Sequence, residues 1–192
     1  GATADLHTTD VFCVIDVGGG STEFVLGREL PEYAVSIDIG SVRLTERMAD
    51  LGPVEPSAAR AHVDELFDEV VAPIAPSVVL GSGGTFVTLA AVALGVPTTA
   101  IEADGSLVLS FVQLENTVDR LLGMSVQEIA GLPGVAPGRA GVLQAGAICA
   151  ERALVHIGAT QVTISVRDIL DGLALELAAE QWPGADAPGH MI

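Results

Sequence analysis

Lysine is absent from this 192-residue chain: all eight basic residues are arginine, set against 25 acids for a net charge of −17. Without lysine no G-x-x-x-x-G-K-[ST] nucleotide loop can form. The surplus of acid repels nucleic acid and phosphate chains at long range, which excludes nucleic acid as a partner. Any anion site must therefore be local, made of backbone N–H groups, a metal ion or one well-placed arginine. Cysteine is nearly absent too. Cys13 and Cys149 are far apart in sequence and lie in apolar runs, so they read as reduced core residues, not as a bridge or a metal pair. The four histidines share no ligand spacing such as H-E-x-x-H and are assigned to surface or packing roles. No apolar run approaches the ~20 residues of a membrane-spanning helix, and "GATADLHTTD" lacks the basic start and apolar centre of a signal peptide. The expectation is a soluble, cytoplasmic protein with no membrane partner. No internal repeat or low-complexity segment interrupts the chain.

What is present is core. Hydrophobic residues make up 49% and charged residues 17%, enough for one sizeable domain. Residues 11–17 form a buried strand ending in three glycines, 23–27 a second strand and 33–39 a third, and their short connections require antiparallel pairing. The period then changes. Residues 42–48 read as a short helix, and Val63, Leu66, Phe67, Val70 and Val71 mark a helical stripe. "SVVLGSGGT" is a buried strand running into a glycine turn, and "TFVTLAAVALG" a helix apolar enough to be buried on several sides. "LVLSF" is ambiguous. "QLENTVDRLLGM", "SVQEIAGL" and "RAGVLQAGAICAERALVHIG" are helices, "TQVTISV" the last strand and "RDILDGLALELAAEQ" the last helix. Three antiparallel strands followed by two reached through helices describe an α/β, ribonuclease-H-like domain. Its mixed five-stranded sheet has three antiparallel strands, then two parallel ones, flanked by helices. This domain is expected over residues 1–182, with 183–192 as a tail; the closing "GHMI" is set aside.

Two glycine turns carry the chemistry. In Asp16-Val17-Gly18-Gly19-Gly20-Ser21-Thr22-Glu23, glycines let backbone N–H groups approach a phosphate, and Ser21 and Thr22 add hydroxyls. Asp16, at the end of a buried strand, suits hydrated Mg²⁺, and Glu23 faces the same ion or an attacking water. The plainer alternative is a glycine hairpin with solvated acids, although a simple hairpin needs only two turn residues. The second turn, "GSGGT", closes a strand and opens a helix. That geometry suits phosphate binding at a helix N-terminus; alternatively Thr85 merely caps the helix. "GGSTE" lacks the last glycine of G-x-S-x-G, which argues against an esterase.

Five stretches, "VFCVIDVGGGSTEFVLG", "SIDIGSVRLTERM", "GSGGTFVTLAAVALG", "PGVAPGRAGVLQAGAICAERAL" and "SVRDILDGLA", resemble in that order the C-terminal domain of the Ppx/GppA family. These are exopolyphosphatases and guanosine pentaphosphate phosphohydrolases of the actin-like superfamily. The resemblance implies a Mg²⁺-dependent phosphohydrolase that releases terminal phosphate from inorganic polyphosphate or pppGpp, in a cleft between two ribonuclease-H-like domains. It implies Glu23 as catalytic, Asp16 and Glu23 as metal ligands, and Gly18, Gly19, Gly20, Ser21, Thr22, Arg43, Gly83, Gly84 and Thr85 as phosphate-binding. For Arg43 a pair with Glu46 is the equal alternative. Ser41 stands where many members have cysteine, and Gly141 where "RADV" carries an acid, so no role is assigned there. The family's first phosphate motif and its general-base glutamate belong to an N-terminal domain, so the chain is expected to be the second half and inactive alone. That half would expose an apolar face and invite homodimerisation. Two rivals remain: an ATP-binding kinase or ATPase fragment with an adenine pocket near "GSGGTFVTL", and a non-catalytic nucleotide-sensing or dimerisation module.

Overall fold

A computed structural model describes residues 11–28, 30–50, 55–70, 75–104 and 107–166. Three strands come first: β1 (Phe12–Val17), β2 (Thr22–Gly27) and β3 (Pro31–Ile37). Helices α1 (Ser41–Asp50) and α2 (Pro56–Phe67) follow, then β4 (Val78–Ser82) and α3 (Gly83–Leu94). The remainder is α4 (Thr98–Asp104), β5 (Val108–Ser110), α5 (Phe111–Leu122), α6 (Val126–Ala130), a 3₁₀ turn (Pro137–Arg139), α7 (Leu143–Ile157) and β6 (Gln161–Ile164). The strand order is β3-β2-β1-β4-β6-β5. The first three strands are antiparallel, while β1–β4 and β4–β6 are parallel. This is the expected ribonuclease-H-like layout with one correction, because the described residues hold six strands and not five. The ambiguous "LVLSF" supplies β5, which pairs antiparallel with β6 at the sheet's edge. Three residues are too few for a period, so the strand is set by its partner and not by its own pattern. Helix α4 was likewise not foreseen. The last helix and the tail expected from the sequence lie outside the described residues.

β1 is one of the two central strands. Its Cys13, Ile15 and Val17 turn into the helix layer together with Phe24 and Leu26 of β2, and all five are buried. Phe24 meets Phe67 of α2 edge to face, with ring centroids 5.1 Å apart. Around them α7 packs against α1, α2, α3, α5 and β1, so it forms the spine of the helical layer. Its small residues make this possible. A Cβ on Gly146 would stand 3.0 Å from Cβ of Ser41 and 3.1 Å from Cγ2 of Thr85. The first turns of α1 and α3 thus converge on one glycine. Helix α3 is buried around most of its circumference, as its composition predicts.

A polar clamp ties the same layer from the other side. Glu151 of α7, only 3% exposed, receives Nε of Arg60 at 2.6 Å and Nη2 at 2.8 Å. Nη2 also reaches Asp119 of α5, and Arg152 pairs with Asp64 at 2.6 Å. The carboxylates Glu151 and Asp119 hold the Arg60 guanidinium even more firmly in its charged form than usual. Burial pushes the thiols of Cys13 and Cys149 up to about 12, which agrees with inert core cysteines. No helix among the described residues is long and apolar enough to cross a membrane.

Candidate functional site

The register of the sheet assembles the site. Glu23 lies opposite Ser36, Asp16 opposite Glu23, and Asp16 beside Ser82. Residues in register share a sheet face. Ser36, Glu23, Asp16 and Ser82 therefore form one polar row across four adjacent strands, on the face opposite Ile15 and Phe24. Ser165, one residue past β6, donates its N–H to the Gly81 carbonyl and continues the same end of the sheet. Within the row the Ser36 hydroxyl donates to Oε1 of Glu23 at 2.7 Å. The row ends where the two glycine turns begin.

The first turn is held by its carbonyls. Gly18 O accepts the N–H of Ser41 at 2.9 Å and its hydroxyl at 3.2 Å. Gly19 O accepts the N–H groups of Val42 at 2.8 Å and Arg43 at 3.1 Å. Two backbone carbonyls thereby cap the N-terminus of α1, where donors would otherwise lack partners. All peptides here are trans, and in a trans peptide the C=O and N–H point opposite ways. With the carbonyls of Gly18 and Gly19 facing α1, the N–H groups of Gly19 and Gly20 face outward, on exposed residues. Such close approach needs Gly40, because a Cβ there would lie 2.6 Å from Gly18 O. The side chain of Ser21 makes no hydrogen bond among the described residues, so its hydroxyl is available beside the turn. Thr22 is not: fully buried, it donates to Ile39 O at 2.7 Å. Its expected hydroxyl contact with phosphate is corrected to an internal tie. Arg43 arches over the turn, with Nη2 3.7 Å from where a Cβ on Gly20 would stand. Its ion-pair partner is Asp38, not Glu46.

The second turn is built differently. Ser82 is the N-cap residue of α3, and Gly83 adopts φ 80°, in the left-handed region that favours glycine. A Cβ there would also overlap Oδ1 of Asp16, so the backbone at the mouth of α3 lies directly against that carboxylate. Thr85 sits within the first turn of the helix, not at its cap, and is 5% exposed. Its hydroxyl donates to Val17 O at 2.8 Å, so it braces one turn against the other and is withdrawn from phosphate. Gly84 lies under the guanidinium of Arg139. Sequence reasoning assigned no role to Arg139. The "PGR" ahead of the long helix was the only available signal, and one arginine in a loop carries no periodic information. The Arg139 side chain makes no ion pair or hydrogen bond with another described residue, although the chain carries an excess of acid. It borders a cavity of about 370 Å³ with Gly84, Thr88, Thr98, Glu102 and Val135. A notch of about 20 Å³ beside it also touches Ser41 and Thr85.

The arrangement can hold an anion by backbone N–H groups, a free hydroxyl and two arginines, next to two carboxylates on paired strands. Among the described residues no three carboxylate, imidazole or thiol groups converge to cage a metal. The donor set nevertheless fits Mg²⁺, which takes oxygen ligands and is commonly held by one or two carboxylates plus waters and substrate phosphates. Asp16 and Glu23 would supply those two, and the missing side chain of Gly83 leaves room for the Asp16 carboxylate itself.

Comparison with known proteins gives one consistent result. The Ppx/GppA phosphatase family matches residues 1–180. Exopolyphosphatase 2 of Mycobacterium tuberculosis is 38% identical over 93% of this chain and 59% of its own length. Among solved structures, an exopolyphosphatase-like protein superposes with TM-score 0.83 at 27% identity, over 94% of this chain and 63% of its own. The PPX-GPPA enzyme of Aquifex aeolicus gives 0.81 at 26%, over 91% and 60%. The chain thus spans about three fifths of the length of the relatives it matches.

Proposed function

Because this chain belongs to the Ppx/GppA phosphatase family, we propose that it forms one wall of an exopolyphosphatase active site, releasing terminal phosphate from inorganic polyphosphate. The observation that carries this reading is the placement of Asp16 and Glu23 in one register row at the mouth of both glycine turns. The outward N–H groups of Gly19 and Gly20 and the Ser21 hydroxyl bind the terminal phosphoryl oxygens. Arg139, over the N-terminus of α3, binds the next phosphates along the chain, and Arg43 lends positive charge from the α1 side. Asp16 and Glu23 would hold Mg²⁺, which when bound would neutralise charge developing on the transferred phosphoryl group. Glu23 also orients the attacking water from its place beside the turn. Phosphoryl transfer to water depends on positioning and electrostatics, and a rigid sheet end provides both. An overall acidic protein can bind a polyanion this way because every attractive group is within a few ångströms of the phosphates.

An N-terminal domain completes the opposite wall in this proposal, and the chain alone is inactive. Phosphate release from long-chain polyphosphate, measured for this chain and for the same chain joined to its upstream coding sequence, tests both statements. Mg²⁺-dependent release by the joined protein only is the expected result. Release by neither, with ATP bound instead, would replace this reading with a kinase-like one. The cavity beside Arg139 favours a second substrate, pppGpp, whose nucleoside needs a recess that linear polyphosphate does not. Competition between pppGpp and polyphosphate in the joined protein decides this: pppGpp that inhibits no better than inorganic triphosphate removes the cavity from substrate binding.

A further inference from the structure

Ser36 is a member of the polar row that the proposed mechanism leaves unused. It lies on β3, the edge strand, in register with Glu23, and its hydroxyl donates to Oε1 at 2.7 Å. That length is ordinary for an O–H···O hydrogen bond, and a carboxylate acceptor strengthens such a bond. Solvation alone does not call for a serine here, because on an exposed edge strand the β-branched threonine or any longer polar residue fits the pleat better. What serine adds is a short side chain with a single heavy-atom torsion, directly across from a long, flexible acid. Free glutamate has three side-chain torsions to fix, and a carboxylate that serves as a ligand must be held within about 0.5 Å of its working position. The backbone of β2 fixes only where the Glu23 side chain begins; Ser36 fixes where it ends. The other oxygen, Oε2, takes no hydrogen bond among the described residues and is left for the neighbouring Asp16 side of the row.

We infer that Ser36 is a positioning residue, whose hydroxyl holds Oε1 of Glu23 so that Glu23 and Asp16 act together on one divalent cation. The inference rests on the reading of Asp16 and Glu23 as a metal pair, and it extends the site onto a third strand. Ser36 touches neither cation nor substrate. Its effect is therefore carried entirely by Glu23, and this separates it from a residue that merely stabilises the sheet.

Mn²⁺ is the probe, bound to this chain without substrate and followed by electron paramagnetic resonance of the free ion. Ser36→Ala is expected to weaken Mn²⁺ binding about tenfold, the lower end of what loss of an outer partner to a metal ligand costs. Ser36→Thr, which keeps the hydroxyl, binds within about twofold of the parent chain. In a Glu23→Gln background the Ser36→Ala change is silent, since there is no carboxylate left to hold. Unfolding temperatures of these variants stay close to the parent's, because Ser36 is exposed. Parent-like Mn²⁺ binding by Ser36→Ala, with binding weakened by Glu23→Gln, overturns the inference and leaves the proposed function standing. Absence of Mn²⁺ binding in the parent chain overturns the inference together with the metal pair. Phosphate release by the joined protein is read separately: failure to hydrolyse polyphosphate, with the Mn²⁺ series behaving as expected, removes the proposed reaction and retains the role of Ser36.

Discussion

The two glycine turns, one at the end of β1 and one at the end of β4, solve the same problem by opposite means. The first gives its carbonyls to the N-terminus of α1 and so presents N–H groups on its other side. The second keeps a helix N-terminus of its own and sets a guanidinium over it. A cation at the positive end of a helix is electrostatically unfavourable, so Arg139 stands where a bound anion would relieve it. The first turn is rigid because protein donors already saturate its carbonyls. The second is held by Thr85 reaching back to Val17, by Ser165 donating to the Gly81 carbonyl and by Gly83 fitting against Asp16. In the proposed site, phosphate affinity is built once into a scaffold and once into a loop residue, and the two should respond differently to mutation.

The largest effect is expected from Gly40→Val. Its Cβ would meet the backbone of Gly18 and Gly19, which cannot step aside without breaking the bonds that cap α1. Overpacking of this kind costs about 3 kcal/mol, to be read as a lower unfolding temperature, with phosphate release by the joined protein lost in parallel. Gly146→Val comes next, at about 2 kcal/mol. It pushes Ser41 and Thr85 apart, so it should damage both turns together. If this variant lowers stability but spares activity, the turns are not coupled through α7. Arg139→Ala is smaller and of another kind. With no partner among the described residues to strand, it should leave stability unchanged and raise the KM for polyphosphate about tenfold, as expected for one charged contact. Arg43→Ala should raise it only about twofold, because Asp38 already competes for that guanidinium. Equal effects of the two would erase the distinction drawn between the turns.

How much of this could be read beforehand differs between the same two regions. The placement of Asp16, Glu23 and the glycines at a strand end was legible because a buried strand that stops at three glycines flanked by acids is a local pattern. Their joint position at the end of the sheet followed from a hairpin that the chain could hardly avoid. Thr22 and Thr85 misled, since a hydroxyl next to a glycine turn looks available in sequence, whereas burial turned both inward onto backbone carbonyls. The partner of Arg43 was sought at helical spacing, and the pair instead crosses from α1 to the loop before it. Arg139 and Ser36 were invisible for a deeper reason. Arg139 meets Gly84 across a gap of more than fifty residues, and Ser36 gains meaning only from the register that sets it opposite Glu23. The strand count missed β5 on similar grounds, since three residues take their conformation from β6.

The smallest effect bears on α1 alone and so distinguishes the turns by pH. Nε2 of His62 on α2 is buried without a hydrogen-bond partner among the described residues. Burial first, and the nearby Arg47 of α1 second, hold its pKa below the usual 6.5, with Glu65 opposing weakly. The folded protein therefore keeps this imidazole neutral where the unfolded chain begins to take up a proton. Below pH 6.5 the unfolded state binds more protons, so stability rises with pH through this window and is lost as pH falls. For a group this close to solvent the loss is small. Thermal unfolding between pH 7.5 and pH 5.5 should show a small decline that His62→Phe removes. Protonation sets a second cation against Arg47 and loosens α1, which is stapled to the first turn and not to the second. Backbone hydrogen exchange at pH 5.5 should then quicken at Ser41, Val42 and Arg43 before it does in α3. Equal acceleration in both helices would mean that the two turns melt as one unit, and that the rigidity assigned to the first belongs to the whole sheet end.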